Sequence, residues 1–276
     1  KRIFHIRSKL IASMRHFLND CGFMEVETPM MQTQAGGATA KPFLTHHNAL
    51  DIDVYLRISA GELWQKRLLV AGLPKVFEIG RIFRNEGMSF EHLQDYTQLE
   101  FYEAFSDYGK GMEMLKDLYR TIADKVYGTR TFTIKDFTIN LDDEWKLYDY
   151  RALIQETFGI DPLDTDIEAV ASALEDHAIA FERNELNIER GVDMLWKQLR
   201  KRLSGPGFLV NVPAYLEPLA KRSESDERVV ERFQVIIAGS EMGKGYSELN
   251  DPIDQSSRFE HQQSLRDQGD EEAQMN

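Results

Sequence analysis

Val76-Phe77-Glu78-Ile79-Gly80-Arg81-Ile82-Phe83-Arg84-Asn85-Glu86, then a polar loop from Gly87 to Tyr96, then Thr97-Gln98-Leu99-Glu100-Phe101-Tyr102-Glu103-Ala104-Phe105, is the stretch that decides the fold. Both flanks alternate. Phe77, Ile79, Arg81 and Phe83 share one face; Glu78, Gly80, Ile82 and Arg84 share the other. On the return, Leu99, Phe101, Glu103 and Phe105 oppose Gln98, Glu100, Tyr102 and Ala104. Alternation with aromatic and β-branched residues predicts two strands. A loop longer than a tight turn requires is typically a binding loop on an antiparallel hairpin. Arg84 and Glu86 lie two apart and point to one side, as do Glu100 and Tyr102. That face is either a solvated surface with an ion pair or the floor of a polar site.

Upstream, Ile3, Ile6, Leu10, Ile11, Met14, Phe17 and Leu18 follow helical spacing, and Gly22 suits the end of that helix. Phe23 to Pro29 reads as a strand stopped by proline. Gln34 to Phe43 carries Gly36 and Gly37, which either make a turn or let a ligand approach the backbone. His46 and His47 are adjacent, so on a strand they face opposite ways and suit structural roles better than one metal. Leu56 to Ser59 predicts a strand entering a helix over Ala60 to Val70, with Glu62 in its first turn, where the helix dipole favours a carboxylate.

Downstream, Met112, Leu115, Leu118, Tyr119, Ile122 and Val126 mark another amphipathic helix. Residues 142–204 read as a charged helical insertion, closed by Gly205-Pro206-Gly207. Phe208 to Pro213 and Arg232 to Gly239 read as strands. In Gly239 to Asp251, Tyr246 and Glu248 share a face; Glu241 and Glu248 either hold Mg2+ through a bound phosphate or line an acidic hairpin. The tail from Ser256 is charged and helical, then acidic.

Composition narrows the classes. With 276 residues and 42% hydrophobic content, the chain suits a soluble globular core, one large domain or two small ones. No run reaches membrane-spanning length, and the N-terminus starts directly in an amphipathic pattern. One cysteine, Cys21, excludes an intrachain disulfide and a cysteine-rich zinc site, and fits a reducing cytoplasm. A net charge of -13 is not the footprint of an autonomous nucleic-acid binder.

Taken together, the chain resembles the catalytic core of class II aminoacyl-tRNA synthetases over nearly its whole length. Phe17 to Pro29 is similar to the dimer-forming first motif of that class, and Phe83-Arg84-Asn85-Glu86 with Tyr96-Thr97-Gln98-Leu99-Glu100 to the second. Gly36 to Phe43, Thr45 to Asp51, and Gly245-Tyr246-Ser247-Glu248-Leu249-Asn250-Asp251 resemble the lysyl enzymes. The resemblance implies an α+β fold, an antiparallel sheet flanked by helices, with the helical insertion inside a core spanning 1–276. It implies activation of L-lysine with ATP and Mg2+ to lysyl-adenylate, transfer to the acceptor end of tRNA(Lys), and a homodimer through Phe17 to Pro29.

It also implies roles. Arg84 would bridge the lysine carboxylate and the ATP α-phosphate; Glu86, His92 and Tyr96 would contact ATP. Gly36 and Glu62 would hold the α-ammonium. Glu100, Tyr102 and Glu248 would surround the ε-ammonium, with Tyr246 against the methylenes, and Glu241 with Glu248 would coordinate Mg2+. Two relatives of that family offer alternatives: a paralogue that lysylates a protein such as elongation factor P, and a non-catalytic regulatory module.

Three departures stand out. Lys244 replaces the usual asparagine, and an extra cation there should repel lysine unless it turns toward phosphate or solvent. Leu93-Gln94-Asp95 replaces the usual Asn-Pro-Glu. The third class motif and the anticodon-binding barrel have no counterpart, so a catalytic fragment that activates lysine poorly is expected, the acidic Asp270-Glu271-Glu272 lying near its end.

Overall fold

A computed structural model describes residues 1–38, 40–87 and 92–267, with the side chains of Glu62, Glu185 and Leu265 excepted. The loop tip at 88–91 and the acidic run Asp270-Glu271-Glu272 lie outside the described residues. The chain is α+β and divides into two units, Ile11–Phe105 with Pro252–Asn276, and Lys1–Leu10 with Ser106–Asp251. Its first elements are α1 (Arg2–Asp20), β1 (Met24–Glu25), β2 (Met31–Gln32), β3 (Leu44–His47), β4 (Ile52–Leu56), α2 (Glu62–Val70), β5 (Lys75–Phe83) and β6 (Asp95–Glu103). Then come α3 (Tyr108–Ile122), β7 (Thr131–Ile134), β8 (Phe137–Asn140), β9 (Lys146–Asp149), α4 (Tyr150–Phe158), α5 (Ile167–Asp176) and α6 (Ile188–Leu199). β10 (Gly207–Val210), β11 (Arg232–Ile237), β12 (Ser240–Tyr246) and α7 (Pro252–Asp267) complete the order.

In the unit that holds the hairpin, β5 and β6 pair antiparallel from Lys75↔Glu103 to Phe83↔Asp95. Phe77 faces Phe101, and Phe101 meets Phe23 edge-on with ring centroids 5.5 Å apart. Val76, Phe77 and Ile82 are fully buried, so both faces of β5 are covered. Gly22, at φ 81°, ends α1 as expected: Phe23 N–H donates to Leu18 O at 3.0 Å.

Three local expectations change. The strand expected over Phe23 to Pro29 shrinks to Met24–Glu25, parallel to β5, because the Thr28 carbonyl is taken by the Arg57 guanidinium instead of a neighbouring strand. The strand expected at Leu56 to Ser59 ends at Leu56, and α2 starts at Glu62 rather than Ala60. Between them Arg57–Gly61 is buried irregular chain, and its backbone groups go elsewhere: Arg57 N–H to Met30 O, and Arg57 O from Phe83 N–H. Phe105, read as strand, follows the end of β6 at positive φ (57°) and lies fully in solvent. A second sheet has the order β2-β4-β3; on it His46 faces Asp53, with Nδ1 3.0 Å from the carboxylate.

The other unit is built on a sheet of order β12-β11-β10-β9, antiparallel except for the β9–β10 pair. The stretch 142–204 opens on strand β9 before its helices begin. α4, α5 and α6 start at Asp149, Asp166 and Asn187, each side chain accepting a backbone N–H three residues on. Their apolar faces share one core with the sheet: Ile154, Val170, Leu174, Leu195 and Trp196 meet Leu209 and Ile236. Gly191 lets α6 approach α5, since a Cβ there would sit 2.3 Å from Val170 Cγ1. α3 covers the opposite face, where Gly111 leaves room for Phe233.

Candidate active site

The hairpin register decides which polar groups meet. Glu78 pairs with Glu100, Gly80 with Gln98, Ile82 with Tyr96 and Val76 with Tyr102. Directly opposed residues share a face, so Glu78, Glu100, Tyr102, Gln98 and Tyr96 lie on one side. That side is buried to half-buried, not a solvated surface.

Glu100 is held at both oxygens. Oε2 accepts from Ala60 N–H at 2.8 Å and Gln98 Nε2 at 3.2 Å, and Oε1 accepts from the Tyr102 hydroxyl at 3.0 Å. Arg84 follows β5; its Nε donates to Ile58 O at 3.3 Å and its guanidinium sits 5.8 Å from the Tyr96 ring centroid. Burial pushes the Tyr96 phenol up while the Arg84 charge pulls the other way. Glu86 is half-buried, with its carbonyl accepting from Gln94 Nε2 at 3.0 Å; His92 is exposed. Gly36 O accepts from the Ser59 hydroxyl at 3.2 Å, and a Cβ on Gly36 would meet nothing within 4 Å, so its backbone borders open space. The Glu62 side chain lies outside the described residues.

One buried pair organises this unit and escaped the sequence reading. The Arg57 side chain is fully buried, with NH1 2.5 Å from Glu78 Oε1 and Nε donating to Arg81 O at 2.9 Å. Glu78 Oε2 takes the Thr28 hydroxyl at 2.6 Å. The Arg57 NH2 has no hydrogen-bond partner and lies where a Cβ on Gly80 would be, 2.2 Å away. The pair anchors the irregular segment whose backbone holds Arg84 and Glu100 and whose Ser59 hydroxyl holds Gly36. Its signal was there: Glu78 has the parity of Arg84, and Arg57 is a lone cation in an apolar run.

In the other unit, Glu241, Lys244, Tyr246 and Glu248 follow one another on or beside β12. A register shift falls between Val235 and Ile236: Val235 pairs with Gly243, but Ile236 with Glu241. The extra residue is a β-bulge. It puts Glu241 on the face of Lys244 and Tyr246, whose partners are Gln234 and Arg232. Glu241 Oε1 accepts from the Trp196 indole at 2.7 Å, and Arg200 Nε lies 3.9 Å away. Tyr246 packs against the helical core, and Glu248 bridges Ala220. Among the described residues no three His, Cys, Asp or Glu groups form a metal cage.

Lys244, its side chain partly exposed, engages a carboxylate. Its Nζ lies 3.2 Å from Glu217 Oε2, while Glu217 Oε1 lies 2.9 Å from Arg232 Nε. Burial raises the Glu217 carboxyl, but Arg232 and Lys244 outweigh it and hold the group below its ordinary range. Glu217 was passed over because it sits in an irregular stretch with no periodic partner.

Compared with families of known kind, residues 1–275 match tRNA synthetases class II (D, K and N). Among curated proteins the chain is 43% identical over 274 residues to a lysine–tRNA ligase of Fervidobacterium nodosum, covering 99% of this chain and 53% of that protein. It is 42% identical to one of Bacillus mycoides, over 100% of this chain and 55% of that protein. It is 41% identical to one of Thermotoga maritima, over 99% and 54%. The chain thus spans about half the length of the curated relatives it matches.

Proposed function

Because the chain belongs to the class II tRNA synthetases of the D, K and N family, we propose that it carries the site that activates L-lysine with ATP and passes it to tRNA(Lys). The observation that carries the reading is Glu100, a carboxylate fixed by Ala60, Gln98 and Tyr102 on the strand face that leads to Arg84 and Tyr96. A half-buried ammonium needs such a paired carboxylate, and the relatives' shared name supports lysine and tRNA over a protein acceptor.

In this reading the lysine carboxylate oxygen attacks the α-phosphorus, the bond to the β-phosphate oxygen breaks, and pyrophosphate leaves. The terminal ribose hydroxyl of tRNA then attacks the acyl carbon, and AMP leaves. Neither step needs a protein nucleophile, so the chain's task is positioning and charge stabilisation. Arg84 offers a planar fork to the carboxylate and the α-phosphate together. Tyr96 stacks adenine, with Glu86 and His92 as further ATP contacts. Gly36 and Glu62 take the α-ammonium. In the hairpin unit Glu100 and Tyr102 take the side-chain ammonium; Tyr246 and Glu248 are, by their residue types, further candidates for the side chain. Glu241 and Glu248 would be the carboxylates that help to hold Mg2+. Bound there, Mg2+ would neutralise polyphosphate charge.

A homodimer is proposed through the segment around Phe17 to Pro29, supported by the exposure of Met24, Met30 and Met31. A cytoplasmic setting is proposed from the single cysteine; among the described residues no helix is long and apolar enough to cross a membrane. Calorimetric titration with L-lysine tests the reading. Saturable binding that is lost in Glu100→Gln is expected; equal binding by that variant would contradict it.

A further inference from the structure

We propose that Gln65 is a positioning residue for the lysine site, a buried amide on α2 that holds Ala60 so that the Ala60 N–H stays aimed at the Glu100 carboxylate. The proposal deepens the lysine reading above and rests on it, and every residue it uses lies in one unit.

Ala60 is fully buried near the end of the irregular segment Arg57–Gly61, and both of its backbone groups are engaged. Its N–H donates to Glu100 Oε2 at 2.8 Å. Its carbonyl accepts from Gln65 Nε2 at 2.7 Å. The same amide nitrogen lies 3.5 Å from Glu100 O, so one side chain on α2 meets the backbone of both residues in the contact that orients Glu100. The Gln65 N–H donates to Gly61 O at 2.6 Å and so holds the next residue as well. Arg57 and Glu78 fix the start of the segment, and Gln65 fixes its end.

Of the three donors to Glu100 named above, Gln98 and Tyr102 are its neighbours on β6, while Ala60 comes from outside the strand. The Ala60 bond therefore sets the carboxylate against the segment whose Ile58 carbonyl takes Arg84. Gln65 serves that bond at a cost. Its Nε2 faces two carbonyls, which only accept, so the amide nitrogen and not the oxygen belongs there. That leaves Oε1 buried, without a hydrogen-bond partner among the described residues, and a partnerless buried oxygen costs stability. Methionine matches glutamine in length and has no such atom to satisfy, so packing alone would be served as well by methionine. The amide is explained by what its nitrogen holds. Gln65 is 0% exposed, so it acts through Ala60 and Glu100 and not on substrate.

The test is calorimetric titration of the full chain with L-lysine and, separately, with ATP, on the unaltered protein and on Q65M, with thermal unfolding and amide hydrogen exchange alongside. The expected Kd for lysine rises about tenfold in Q65M, the scale of one weakened hydrogen bond to a charged group. The Kd for ATP should stay within about threefold, since the Ile58 carbonyl that takes Arg84 is not bonded by Gln65. The thermal midpoint should stay within about 4 °C, and the Ala60 amide should exchange faster. A Gln65 that merely braces α2 gives another pattern: a lowered midpoint, faster exchange along α2, and lysine and ATP weakened alike. That pattern overturns the proposal. If Q65M does not fold, Gln65→Asn, whose amide stops one methylene short of Ala60 O, must show the same split between lysine and ATP; failure of both variants to fold overturns the proposal. Absence of lysine binding by the unaltered chain removes the lysine reading and this proposal together; unchanged lysine binding in a folded Q65M removes the proposal alone.

Discussion

Single residues in this chain differ in what they hold. Glu100 is the carboxylate proposed to meet the substrate ammonium. Its replacement by Gln keeps the shape and removes the charge, and should cost roughly 2–5 kcal/mol of lysine binding, about thirtyfold or more in Kd; titration reads it directly. Arg57 and Glu78 are placed to act on the chain. Arg57→Met leaves the Glu78 carboxylate, 3% exposed, facing the Thr28 hydroxyl without its cation. Breaking such a pair from one side costs about 3–5 kcal/mol, and replacing both partners costs less. Urea denaturation of Arg57→Met, Glu78→Gln and the double variant checks the order. Glu217 adds a pH signature. Its folded pKa lies below the ordinary 4.5, so the stability it contributes is present above that value and lost as pH falls through the depressed one. The urea midpoint of the unaltered chain should therefore fall more steeply below about pH 4.5 than that of Glu217→Gln.

At the scale of elements, the hairpin was legible from the alternation of residue types alone: Phe77 and Phe101 face one way, Glu78 and Glu100 the other, although both faces of β5 are covered. Arg84, Glu100, Tyr102 and Tyr96 could be named from parity and family resemblance together. The irregular segment Arg57–Gly61 was not legible. Its groups are satisfied by partners 20 to 40 residues away in sequence, such as Glu78 and Glu100, and local propensity carries no trace of them. The bulge in β12 was hidden for a like reason, since a residue added to one strand shows only against its partner. Gly61 closes the segment at φ 88°, and a Cβ there would lie 2.5 Å from Thr28 Oγ1. Gly61→Ala should therefore destabilise by more than about 1 kcal/mol, read as a lowered thermal midpoint.

For the whole molecule, composition showed no run of membrane-spanning length and a net charge of -13, but could not mark the division into two units. That division depends on which helices share a core with which sheet, as α4 to α6 do with β10 and β11. The exposed Met24, Met30 and Met31, at 52%, 47% and 56%, are the apolar residues a homodimer would cover. Met24→Glu with Met31→Glu should shift sedimentation from dimer to monomer while leaving the circular dichroism spectrum unchanged.

The most direct measurement of the central claim is competition between L-lysine and L-norleucine, which keeps the methylenes and lacks the ε-ammonium, for the unaltered chain. A site built on Glu100 and Tyr102 should bind lysine and reject norleucine by about 10⁴-fold. Comparable affinities for the two would contradict the account, because they would mean that no carboxylate in the chain meets the ammonium.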